Sequence, residues 1–425
     1  MTGAGAATPE LSRGESKSAY YGWSVLVVAA LAMVGTLPGR TQGLGLITES
    51  LLRDLHMDRV TYATVNLWGT LIGTAFCLPC GRLLDRFGSR VVLAAVLAGL
   101  GGTVLAMSHI IGTSGLWITV TLTRGFGQSA LSVVSLALVG KWFARRLNIA
   151  MGVYSLLVGI GFMTAFPGVG QAVLHFGWRA TWAAVGWTLL AILLPAGWLL
   201  VRDRPEDRGA ALDGDEAHQP VGLIDLTLRD ALRSPAFWVF ALSSSVFGLV
   251  YSGISLFNES ILVERGFNAS TYHTVLAISA LLGLLANFGG GWLATYWPIQ
   301  RVMGLGMAAL GGALLGLPFV HTFADVVLYG ITMGIAGGIV TVVFFSVWGQ
   351  AFGRNHLGRI QGCAQMMTVL ASAVGPLLLA ETLRKTGSYD AVFYGLAALV
   401  CLLGITSWTI RLPLRQAHTL AQPVA

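Results

Sequence analysis

Charge is scarce in this 425-residue chain. Asp, Glu, Lys and Arg make up 11% of it, against about 25% in a soluble domain. With 55% hydrophobic residues and a mean hydropathy of +0.72, a soluble fold is excluded and a polytopic membrane protein is expected. Cysteine is scarce too. Cys77, Cys80, Cys363 and Cys401 all lie in apolar runs. Cys77-x-x-Cys80 has redox or zinc spacing, yet it sits beside Pro79 with no histidine near, so packing is the favoured reading. No nucleophile–base pair, metal cluster or phosphate loop is visible. The expectation is no enzyme, no catalytic residue, no metal and no cofactor. A net charge of +7 would suit nucleic acid, but the basic residues occupy short loops between apolar runs, and the orientation rule for membrane proteins accounts for them. Residues 1–20 are polar, and the run after them is too long for a signal peptide and lacks a small-residue cleavage site, so no cleaved leader is expected.

Apolar runs long enough to cross a hydrocarbon core of about 30 Å recur along the chain. They predict spans near 21–50, 60–84, 91–109, 115–141, 148–175, 179–201, 235–262, 270–296, 301–320, 324–350, 357–383 and 389–411. Twelve spans put both termini on one side. Eighteen of the 26 Lys and Arg fall on the side of the 82–90 loop and six on the other, with Arg40 and Arg124 inside spans. That bias predicts a cytoplasmic loop and cytoplasmic termini. The organisation expected is a tail over 1–20, a six-span bundle over 21–201, a linker over 202–234, a second bundle over 235–412 and a tail over 413–425. Within the linker, 222–233 reads either as a short amphipathic surface helix or as solvated chain.

The two bundles repeat one unit. At an offset of 210, nine of the 24 residues of Gly43–Asn66 are identical to Gly253–Leu276, among them Glu49/Glu259, Tyr62/Tyr272 and Val65/Val275. The same offset carries Gly81 onto Gly291. Two parallel six-span repeats place a site near the midplane at their interface and move by rocking around it.

The loop between spans two and three reads Gly81-Arg82-Leu83-Leu84-Asp85-Arg86-Phe87-Gly88-Ser89-Arg90. An acid at the end of a span is costly unless paired. The pattern G-x-L-x-D-R-x-G-x-R resembles the loop between spans two and three of the major facilitator superfamily. The resemblance implies an all-α membrane fold of twelve helices in two pseudo-symmetric six-helix bundles, working by alternating access. It implies gating roles for Gly81, Asp85, Arg86, Gly88 and Arg90. Asp85 is expected to close the inner gate by pairing with Arg145, Arg146 or Arg359. Glu49 and Glu259, at equivalent outer ends of spans one and seven, read as outer-gate or helix-end residues.

Ionisable residues inside spans are expensive and usually functional. Arg124 stands near the middle of span four, in Arg124-Gly125-Phe126-Gly127-Gln128-Ser129, similar to the superfamily's span-four motif with Gln128 after the glycines instead of before them. It either binds a substrate anion or stabilises an occluded state, or donates structurally to backbone carbonyls. Arg40 and Gln42 lie beside Pro38 and Gly39 in span one, where a broken helix would open backbone groups to a cavity. Its competing reading is snorkelling toward Glu49. No acid in spans one to six sits at comparable depth. Two uncompensated cations cost several kcal/mol each, and a bound anion removes most of that. Tyr154, Tyr251, Asn287 and Gln365, with Gln128, are the polar candidates for the rest of a substrate site. No mid-depth carboxylate of the proton-relay kind is visible; a proton or counter-anion as coupling partner stays open.

Tyr21-Gly22-Trp23, Arg233-Ser234-Pro235-Ala236-Phe237-Trp238 and Gly127 to Ser135 running on to Lys141-Trp142-Phe143 are similar to bacterial members of the monocarboxylate and oxalate/formate branch. One departure stands out: that branch often carries a basic residue in span eight, and Leu281 to Trp292 has none. The expectation is a monomeric secondary transporter of a small organic anion, a monocarboxylate, in the bacterial cytoplasmic membrane. The alternatives are an exporter of lipophilic or cationic compounds and a non-transporting membrane sensor.

Overall fold

The structure, a computed structural model, describes residues 20–57, 59–144, 146–203, 205, 225–267 and 269–413. Among the described residues, twelve helices are long and apolar enough to cross a membrane. Spans one to six are Gly22–Gly39, Thr64–Phe87, Ser89–Ser108, Thr113–Trp142, Leu147–Phe176 and Trp178–Leu200. Spans seven to twelve are Pro235–Ser255, Val275–Tyr296, Ile299–Phe319, Phe323–Phe352, Leu357–Thr386 and Asp390–Thr409. Eleven match the apolar runs that predict them to within a few residues at the loop ends. They pack as two bundles of six, and the all-α membrane fold expected from the resemblance is the one present.

Span one departs from a single run. Its helix stops at Val34, a 3-10 turn follows at Leu37–Gly39, and Arg40 is extended at φ −93° and ψ 153°. Short helices over Thr41–Gly45 and Thr48–Asp54 complete the crossing. Pro38 cannot donate a backbone hydrogen bond, and its ring clashes with the preceding turn, so a break here is expected. The repeat partner, span seven, carries Gly248 and Leu249 at the matching positions and runs as one helix over Pro235–Glu264. The break is therefore a property of one half. Beyond it, Asp54 accepts from Trp178 Nε1 and Arg179 Nε, both at 2.9 Å. Those bonds, Trp178 first, hold its carboxyl below the usual range.

Most of the linker, residues 204 and 206–224, lies outside the described residues, as do the tails over 1–19 and 414–425. Its two ends are pinned. Asp203 accepts from the Arg90 amide at 2.9 Å. Asp225 accepts from the Arg354 and Asn355 amides at 2.6 and 2.9 Å. Of the expected amphipathic segment, the described part is a short helix, Leu228–Arg233, capped reciprocally by Thr227 and Asp230. Leu226 donates to the Phe352 carbonyl, so this stretch docks on the turn between spans ten and eleven.

Candidate functional site

Span four is not uniform. Arg124–Leu131 is a π-helical stretch. A π-bulge shifts side-chain register and leaves backbone groups free, and such bulges recur at functional sites. It faces the break in span one. A Cβ on Gly127 would lie 3.2 Å from the Gly39 Cα, so two glycines allow the two irregular segments to touch.

Arg124 fills that junction and is 2% exposed. Its Nη1 donates to the Gly39 carbonyl (3.2 Å), Thr41 Oγ1 (3.0 Å) and Gln128 Oε1 (2.9 Å). Its Nη2 donates to Asn66 Oδ1 at 3.0 Å. Nε alone is buried without an acceptor. One guanidinium thus ties spans one, two and four together using neutral acceptors only. The planar five-donor fork is the group suited to that task.

Arg40 is half-buried beside the break. Its Nε donates to Thr36 Oγ1 at 2.6 Å and its Nη2 to the Met33 sulfur at 3.1 Å. Its guanidinium carbon lies 4.9 Å from the Phe162 ring centroid. Phe162 stands midway along the 30-residue helix of span five, which puts Arg40 at mid-depth instead of at a membrane surface. Nη1 has no acceptor among the described residues and is not sealed off, unlike Arg124 Nε. Among the described residues neither arginine has a carboxylate within ion-pair distance.

The other sequence candidates divide. Gln128 joins Arg124 directly. Tyr154 is fully buried, bonded to Ser135 Oγ at 2.7 Å, with its ring edge-on to Phe345 of the opposite bundle at 5.5 Å. Gln42 is exposed. Gln365 is half-buried. Tyr251 is exposed and stacks on Phe247. Asn287 backs onto span ten, where a Cβ on Gly338 would meet the Asn287 backbone nitrogen at 2.7 Å, and its Oδ1 is buried without a donor.

At the end carrying the 82–90 loop the two bundles press together along two seams. In the first, span two meets the start of span eleven. Gly81 abuts the Gly358 carbonyl, and a Cβ on Gly358 would fall 2.7 Å from Asp85 Oδ1. Asp85, with a side chain 3% exposed, accepts from the Gly358 and Arg359 amides at 3.1 Å each and pairs with Arg359 Nε at 3.5 Å. Unbonded amides at a helix start attract an anion, and the acid lies where they converge. In the second seam, the repeat mate Gly291 meets Asn148 and Gly152 of span five. Asn148 donates to the Ala294 carbonyl and accepts from Gln350. The second copy has lost the acid, and its seam closes on neutral amides.

Three loop residues stand apart from these seams. Arg86 is exposed and touches the Phe87 ring, 5.2 Å to the centroid. Arg90 donates to the Trp198 carbonyl at 2.7 Å and lies over that ring at 4.3 Å, inside its own bundle. Gly88 takes φ +84° ahead of span three. Arg86 and Arg90 each lie over an aromatic ring of their own bundle, away from the inter-bundle seam. Arg145, and the side chains of Glu49 and Glu259, lie outside the described residues. Sequence reasoning missed Thr41, Asn66, Phe162 and the Asn148–Gln350 pair. Asn66, inside the repeated unit but unlike its mate Leu276, is the one with a readable signal.

Comparison with known proteins agrees with this architecture. The family model described as Major Facilitator Superfamily matches residues 18–268 and 254–423. Monocarboxylate transporter 11 of Mus musculus is 26% identical over 392 residues, covering 90% of this chain and 84% of that protein. The hexuronate transporter of Escherichia coli strain K12 is 24% identical over 415 residues, covering 90% and 92%. Among solved structures, the human organic anion transporter MFSD10 (TETRAN) superposes with a TM-score of 0.68 at 16% identity, covering 90% of this chain and 99% of that one. FucP, a transporter solved in its outward conformation, gives 0.67 at 11% identity, covering 91% and 99%. These relatives are named as transporters, and with the family model matching nearly the whole length, this chain belongs to the major facilitator superfamily.

Proposed function

We propose that this chain is a secondary transporter moving a small organic anion, a monocarboxylate, across the bacterial cytoplasmic membrane by alternating access. One observation carries the reading. Arg40 and Arg124 stand at mid-depth with no carboxylate partner among the described residues. Removing a cation from water without a counter-charge costs several kcal/mol, and an anionic cargo offsets that cost. The two arginines take different parts. Arg124 is sealed and spends its donors on the break in span one. Arg40, with an accessible Nη1, takes the carboxylate. The relatives named for monocarboxylates and hexuronates carry substrates that share a carboxylate, which fits this assignment.

The Lys and Arg bias supports a cytoplasmic location for the closed end, and on that reading the conformation described is closed to the cytoplasm. Asp85 and Arg359, with the Gly81–Gly358 contact, act as the inner gate, and the Asn148–Gln350 seam is its neutral counterpart. Asp85→Asn keeps the shape but loses the ion pair and one strong acceptor. Charge-assisted bonds are worth about 1.5–3 kcal/mol, enough to shift the facing equilibrium roughly tenfold or more toward the inward state. The expected result is slower uptake in reconstituted vesicles with an unchanged melting profile. Unchanged uptake would remove Asp85 from the gate.

The reading as a whole is tested by uptake of labelled lactate, oxalate and a lipophilic cation into proteoliposomes, with and without a pH gradient. Anion uptake that saturates is expected; uptake of the cation alone would favour the exporter alternative.

A further inference from the structure

The span-five wall beside Arg40 is aromatic. Phe162, under the guanidinium, stacks on Phe166 with centroids 5.2 Å apart and planes 13° from parallel. The Met33 sulfur borders Nη2. Further rings come from the second bundle, with Phe345 against Tyr154 and Phe247 stacked on Tyr251 at 5.5 Å.

Several polar atoms near the arginines are already engaged. Thr36 Oγ1 donates to the Met33 carbonyl and accepts from Arg40. Asn66 donates one amide hydrogen to the Tyr62 carbonyl, and its oxygen accepts from Arg124. The Gln128 oxygen is likewise taken by Arg124. Ser135 donates to the Ala29 carbonyl at 2.6 Å, so the proton shared with Tyr154 comes from the phenol, which has none left for a ligand. Three amide groups without a bond among the described residues, those of Gln42, Gln365 and the Gln128 nitrogen, stand on spans one, eleven and four, and none belongs to the Phe162–Phe166 wall of span five. A hydroxyl brought into such a site without a partner weakens binding strongly.

We infer that the substrate is a monocarboxylate with a flat, apolar tail, an aryl carboxylate in preference to a hydroxylated sugar acid. The inference rests on the anion reading above. The carboxylate meets Arg40 end-on, across Nη1 and the second hydrogen of Nη2, while Nε stays on Thr36. Bidentate geometry of this kind is what the guanidinium fork favours. The tail lies along Phe162 and Phe166, extending their stack.

Equilibrium binding to the purified protein in detergent tests this without interference from passive permeation. Labelled phenylacetate is displaced by unlabelled phenylacetate, acetate or glucuronate, and labelled glucuronate is used reciprocally. The expected order is phenylacetate about tenfold tighter than acetate, a gap typical of one good aromatic contact, with glucuronate the weakest. Phe162→Ala narrows the phenylacetate-to-acetate ratio severalfold, and Phe162→Leu, which keeps bulk in the helix, does the same. Phe162→Trp preserves it. Glucuronate binding more tightly than phenylacetate overturns the assignment of the tail and leaves the anion reading standing. Binding of none of the three acids overturns both.

Discussion

Arg40→Ala is expected to abolish carboxylate uptake while leaving the protein folded. The side chain gives two ordered bonds, to Thr36 and Met33, and neither holds separate spans together, since all three residues belong to span one. Its removal relieves a half-buried cation of its desolvation cost, so stability is kept or gained. The cargo loses a bidentate, charge-assisted contact. At about 1.5–3 kcal/mol per bond, the loss exceeds about 3 kcal/mol, more than a hundredfold in Kd. Arg40→Lys keeps the charge and gives up the fork, and an intermediate loss is expected. Initial rates in proteoliposomes, beside melting curves of the same preparations, check both halves of this expectation. Wild-type rates in the alanine variant would place the anion elsewhere.

Arg124→Ala is expected to do the opposite, lowering stability first and transport as a consequence. It strips the donor from Gly39 O, Thr41 Oγ1, Gln128 Oε1 and Asn66 Oδ1 at once. A buried acceptor left unsatisfied costs about 1–3 kcal/mol; Gly39 is buried, Asn66 and Gln128 are half-buried and Thr41 is exposed, so water recovers part of the loss and a few kcal/mol remain. A fall in melting temperature on the order of 10 °C follows. Arg124→Lys separates geometry from charge. Three tetrahedral donors cannot span four acceptors on three helices, so the lysine variant stays destabilised although its charge is intact. A lysine variant as stable as wild type would show that the field of Arg124, and not its clasp, is what the fold uses.

The contrast between these arginines marks how far sequence reasoning reaches. Both are visible as cations in apolar runs, and Pro38 and Gly39 announce the break beside one of them. Hydropathy fixes a span because membrane crossing depends on composition over about twenty residues. Asp85 is legible as an acid needing a partner, and Arg359 is among its expected partners. Pairing across the bundle is a different kind of information. Nothing local in Arg124–Leu131 signals a π-helical register, which arises from the fit against the broken span one. Nothing local sends Arg90 to Trp198 and the Asp203 end of the linker instead of the gate. The backbone amides that hold Asp85 carry no side-chain signature at all. Phe162 reads as one more aromatic in an apolar run until Arg40 is seen above it.

The two seams at the closed end give the repeat a physical asymmetry. One is charged and sensitive to a single acid; the other depends on Asn148 bridging Ala294 and Gln350. Rocking the bundles apart must break both. The charged seam costs more to separate in a dry interface and less once water enters. On the proposed mechanism, control of opening falls on Asp85.

The most direct test compares a carboxylate with its own neutral amide, phenylacetate against phenylacetamide, by equilibrium binding to wild-type protein and Arg40→Ala. Shape is nearly constant and charge is not. The expected result is an amide at least a hundredfold weaker in wild type, with the difference gone in the variant. An amide that binds wild-type protein as tightly as the acid would contradict an anionic cargo.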